Sequence, residues 1–140
     1  MRRVFLMMTI ALVWIAGCAG VRWEEKTIAE ADDYMVSLQA RIEDGYTEPM
    51  GYRHPVDMEV DTLVDILNDM TYMTGPALLV GEPEQRPVFQ NRETARLAPA
   101  ISEALSMASP DQRIYFASYN KGAGLIFKKR RKTEGVIFRD

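Results

Sequence analysis

Glu24-Glu25-Lys26-Thr27-Ile28-Ala29-Glu30-Ala31-Asp32-Asp33-Tyr34-Met35-Val36-Ser37-Leu38-Gln39-Ala40-Arg41-Ile42-Glu43 is the stretch on which the fold assignment turns. Ile28, Ala31, Met35, Leu38 and Ile42 recur at spacings of three and four, which predicts a helix over 24–43 with a narrow apolar stripe. Glu24, Glu25 and Glu30 fall toward its start, where carboxylates suit the helix dipole. Two heptads are too few for a coiled coil, so the stripe is expected to pack on the domain.

Working outward, Gly45 to Gly51 is a break containing Pro49, and Val56, Met58 and Val60 alternate with acids in a short strand-like passage. A second helix is expected at about 61–73, with Leu63, Ile66, Leu67, Met70 and Met73 inward and Gly75-Pro76 ending it. Ala77 to Val80 is a compact apolar run, followed by a loop rich in proline and glycine. A third helix should begin near Asn91 as N-cap, burying Leu97, Ala98, Ile101, Ala104 and Leu105, with a kink at Pro99. Beyond Ser109-Pro110 the pattern becomes β. Ile114–Tyr119, Leu125–Arg130 and Val136–Phe138 are separated by turn-like Asn120–Gly124 and Lys132–Gly135. The expectation is an α+β domain over 24–140, with about three helices on one face of a small antiparallel sheet ending in a β-meander.

The first residues are of another kind. Met1-Arg2-Arg3 is a basic start, and Val4 to Ala16 is an uncharged apolar run shorter than the ~20 residues of a spanning helix. It ends in Ile15-Ala16-Gly17-Cys18, which resembles the lipobox of bacterial lipoprotein precursors in all four positions. The resemblance implies a signal peptide at 1–17, cleavage between Gly17 and Cys18, and diacylglycerol on the Cys18 sulfur. It also implies acylation of the new amino terminus, palmitate included. Residues 18–23 would then be a lipidated tether, since two or three acyl chains anchor stably where one is marginal. Ala19 rather than Asp follows the cysteine, which by the usual sorting pattern implies the outer membrane, facing the periplasm of the cell envelope.

Cys18 is the only cysteine, so residues 19–140 contain no disulfide, no thiolate metal site and no cysteine nucleophile. Charge is uneven. Residues 18–84 hold 15 acids against Arg22, Lys26, Arg41 and Arg53, whereas 85–140 hold 5 acids against 11 bases. Such a chain folds its halves together or shows a charged face to a partner.

No catalytic constellation assembles from the sequence. His54, the single histidine, lies near Asp57 but has no serine in a nucleophile turn. It reads as a loop histidine that caps backbone or faces water. Asp57, Glu59, Asp61, Asp65 and Asp69 read as a solvated acidic face, because Thr62 and Asn68 stand where a calcium loop needs Gly and Glu. Tyr115, Phe116, Tyr119, Phe127 and Phe138 read as core and cross-strand pairs.

Lys128-Lys129-Arg130-Arg131-Lys132 is the strongest charge feature. Five consecutive cations suggest a hairpin tip in water, able to touch anionic lipid or an acidic partner. An exported protein does not meet nucleic acid. The sequence therefore suggests a non-enzymatic accessory or assembly factor, held to the membrane through Cys18, without cofactor or metal, and binding another envelope component. The alternative is a lipid-anchored hydrolase or small-ligand-binding protein acting on cell-wall or lipid material, through His54 with Asp57 or a pocket under the aromatic strands.

Overall fold

The computed structural model describes residues 20–75, 82–121 and 130–140. Cys18, the lipobox, Ala77–Val80, Lys128 and Lys129 lie outside them, as does most of the expected Leu125–Arg130 strand.

The stretch expected to be the first helix is a β-hairpin. Strands β1 (Arg22–Ala31) and β2 (Tyr34–Glu43) pair antiparallel around Asp32-Asp33. The reason lies within the same residues. From Tyr34 onward Tyr34, Val36, Leu38, Ala40 and Ile42 also recur with period two on one sheet face, the face that joins the core, while Ser37 and Gln39 are buried on the other. The three-and-four spacing mixed residues from both sheet faces.

Asp44 and Gly45 then take left-handed backbone, φ 52° and 85°. Such geometry suits a two-residue hairpin turn and the Asp-Gly pair. It leads into β3 (Tyr46–Thr47), paired with the end of β2. Residues 51–59 form neither strand nor helix, so the expected Val56–Val60 strand is an unpaired strap. Helix α1 (Val60–Asp69) follows and is shorter than anticipated, because Thr71–Thr74 becomes strand β4, paired with β5 (Glu84–Pro87) in a separate ribbon. Leu63 and Leu67 are buried, but Ile66, Met70 and Met73 are exposed.

Helix α2 (Asn91–Met107) keeps its expected inward face, with Leu97, Ala98, Ile101, Ala104 and Leu105 all buried and Pro99 within it. Its N-cap is Gln90 rather than Asn91. The last elements are β6 (Gln112–Lys121) and β7 (Arg130–Ile137), which pair antiparallel. Lys132-Thr133-Glu134-Gly135, expected as a turn, is the middle of β7. An edge strand tolerates such residues, because charges there discourage further strand addition.

The main sheet runs β1-β2-β6-β7 with β3 beside the end of β2. Among the described residues sheet predominates, and two helices replace the expected three. Val36, Leu38, Ile114 and Phe116 on one sheet face meet the apolar faces of α1 and α2 in a single core. Gly135 lies opposite Phe116. A Cβ at Gly135 would come within 2.8 Å of the Phe116 ring, so the close approach requires glycine.

Candidate functional site

The sheet has two distinct ends, and register assigns residues to each. Arg22 opposes Ile42, and Ala40 opposes Gln112, so one end holds the starts of β1 and β6 and the β2–β3 turn. Lys121 opposes Arg130, so the basic run begins at the other end. The ten residues of β6 separate the ends by roughly 30 Å.

The basic end also carries a cleft of about 580 Å³, lined by Asp32, Asp33, Tyr34, Gln90, Arg92, Glu93, Arg96, Ser118, Tyr119 and Asn120. Glu93 organises its wall. It lies in the first turn of α2, and its carboxylate accepts from the Gln90 N–H at 2.8 Å, Ser118 Oγ at 2.8 Å and Asn120 Nδ2 at 3.3 Å. One acid thus satisfies an orphan helix-end donor and ties α2 to β6. Arg96 pairs with Asp33 across the cleft.

Arg131 and Lys132 do not form a free tip. Arg131 sits on the helix side of β7, donating from Nη2 to the Val88 carbonyl at 3.2 Å, with its guanidinium 5.2 Å from the Tyr72 ring. Lys132 lies on the opposite sheet face, and its Nζ is 2.5 Å from Glu134 Oε2, which also accepts from Tyr115 OH at 2.5 Å. Lys132 and Tyr115 hold the Glu134 carboxyl below its ordinary range. Glu134 in turn favours the Lys132 cation. Burial, then the bond to Glu134, raises the Tyr115 phenol.

His54 departs from the expected water-facing or capping residue. It is 6% exposed, and neither ring nitrogen has a hydrogen-bond partner among the described residues. The strap fixes it there. Tyr52 N–H donates to the Pro110 carbonyl at 2.9 Å, Arg53 N–H to Arg139 at 2.8 Å and Val56 N–H to Leu105 at 3.0 Å. Tyr52 meets the imidazole edge-on and stacks on Phe138 at 4.9 Å. Desolvation lowers the His54 pKa, so the neutral ring is favoured.

These positions decide what chemistry the described residues support. His54 is held beside Leu105, whereas Glu93 and Ser118 meet at the other end of α2, about 18 Å along the axis at 1.5 Å per residue. His54 therefore does not meet the Glu93–Ser118 pair, and among the described residues neither of its nitrogens has the hydrogen-bond partner that a nucleophile–base pair requires. Asp57, Glu59, Asp61, Asp65 and Asp69 are all exposed, and no three metal-ligating groups cluster among the described residues. No described helix is long and apolar enough to cross a membrane.

Sequence reasoning missed Glu93 as the hub, although Gln90-x-x-Glu93 has the capping-box spacing. It also missed the opposed ends, which depend on strand register. The chain matches no family model, and no curated protein or solved structure matches it.

Proposed function

We propose that this chain is a lipid-anchored envelope protein, a non-enzymatic accessory factor that binds an acidic envelope component through the sheet end farthest from its anchor. One observation carries the reading: β1 starts only four residues after Cys18, while Arg130 pairs at the opposite end of the sheet. A lipid on Cys18 keeps the Arg22 end near the bilayer. Arg130, which opens the described part of the basic run, then lies at the far end of the sheet, on the side of a partner rather than of the anchoring lipid. Electrostatic complementarity of this kind raises association rate and selects the partner.

Two measurements test the reading. Labelled palmitate should enter the wild-type protein and not Cys18→Ser; equal labelling overturns the anchor. Envelope proteins captured by the full chain after detergent extraction should be lost when residues 128–132 are replaced by Gln, and lost as salt rises. Repeated capture of nothing, or capture indifferent to the replacement, overturns the partner role.

The cleft beside Glu93 favours a second reading, a binder of small polar ligands. Its volume lies in the range of ligand sites. Arg92→Ala and Arg96→Ala would then abolish ligand-induced thermal stabilisation, with partner capture unchanged.

A further inference from the structure

The geometry points to a second membrane contact besides the lipid, made by Val21, Trp23 and Tyr46 at the Arg22 end of the sheet. The inference rests on the reading that Cys18 is lipidated. Cys18 stands four residues before Arg22, so a fully extended chain separates the two by at most about 14 Å. An acylated sulfur sits at the hydrocarbon boundary, and so short a tether leaves this end of the domain at the headgroups.

Exposed apolar groups gather at that end. Arg22 opposes Ile42 on one side of β2, and Ile42 opposes Thr47 on the other. Continuing the register by one residue sets Val21 level with Glu43, which opposes Tyr46. Val21 and Tyr46 are thus two strand spacings apart, roughly 10 Å, at the same height. Tyr46 is 80% exposed at the base of the Asp44-Gly45 turn, and Val21 is 49% exposed. Trp23 opposes Arg41 and is 37% exposed, with the Arg113 guanidinium stacked on its ring at 3.5 Å. Tyrosine and tryptophan suit the interface, with rings in the acyl boundary and polar atoms among headgroups.

Charge specifies the lipid. Glu43 and Glu48 flank Tyr46, but both pair with Arg41, at 3.1 and 2.8 Å. Asp44 at the tip would be repelled by an anionic surface. Exposed Arg22 and the Arg113 guanidinium bring the opposite sign to the same end, so the occupant is a zwitterionic bilayer interface, reached by aromatic insertion rather than by net charge.

Trp23 is the only tryptophan after Cys18, since the other is Trp14, so it reports the contact directly. Full-chain protein purified from membranes is reconstituted into phosphatidylcholine vesicles with and without brominated acyl chains. Intact mass establishes in the same sample whether Cys18 carries lipid and Trp14 is gone. The expected result is loss of Trp23 emission in brominated vesicles. That loss should be smaller for Tyr46→Ser, whose exposed position leaves folding intact by circular dichroism. Lipid on Cys18 with Trp23 unquenched, or quenching indifferent to Tyr46→Ser, overturns the contact and leaves the anchor standing. Absence of lipid by mass overturns the anchor and the contact together.

Discussion

The guanidinium carbon of Arg113 lies 3.5 Å from the centre of the Trp23 ring, while Arg113 Nε donates to Gln39 Oε1 at 3.1 Å. One side chain on the third strand of the sheet thereby clamps an aromatic residue on the edge strand, across β2. Arg113→Ala should destabilise the fold by about 1–2 kcal/mol, combining a partly exposed cation–π contact with a lost partner for Gln39, which is 9% exposed. Arg113→Lys should recover part of this, since an ammonium lacks the flat stacking surface. Urea denaturation followed by Trp23 emission measures both, and equal stability of all three proteins would falsify the clamp.

Glu93 should matter to folding. Glu93→Ala leaves Ser118, 2% exposed, without its acceptor and uncaps Gln90. The expected loss is about 1–3 kcal/mol. Amide hydrogen exchange should accelerate first in the opening turn of α2. Uniform acceleration through the sheet would instead indicate general destabilisation.

Gly135→Ala should cost about 1–3 kcal/mol, because the new methyl meets the Phe116 ring, which is 5% exposed within the core. Phe116→Leu in the same chain should make the double loss smaller than the sum of the single ones. Strict additivity in thermal melts would show that the two positions do not interact as described.

His54 should give the fold a dependence on pH. Its folded pKa is lowered by burial, so below the unfolded value of about 6.5 the unfolded chain binds more protons. The contribution is therefore complete above about pH 6.5 and declines as pH falls through that value. As the single histidine, His54 is the side chain whose ordinary pKa lies in this window. Urea midpoints should fall between about pH 7.5 and about pH 5.5 in the wild type and hold nearly level in His54→Phe. A parallel decline in both proteins would assign the effect elsewhere.

The local reading succeeded where one period alone fitted. In α2 the inward set Leu97, Ala98, Ile101, Ala104 and Leu105 has no competing alternation, and all five are buried. It failed over 24–43, where Ile28, Ala31, Met35, Leu38 and Ile42 fit a helix while Tyr34 to Ile42 fit a strand. Pairing of β1 with β2 across Asp32-Asp33, and of β2 with β6 more than 70 residues away, settles that contest in favour of the sheet. β7 was obscured for a related reason. One face packs inward, through Gly135 and Ile137, so the run Lys132-Thr133-Glu134-Gly135 resembles a turn. The strap's grip on His54 lay beyond reach as well, since it depends on backbone donors meeting Leu105, Pro110 and Arg139.

The β4–β5 ribbon carries a consequence of its own. Its own strands are zipped together, and beside it Val88 N–H donates to the Met70 carbonyl at 2.8 Å. Tyr72 meets the main sheet under Arg131. Strand pairing thus holds the outrigger together by itself, and changes within it should reach the main sheet chiefly through Tyr72 and Arg131.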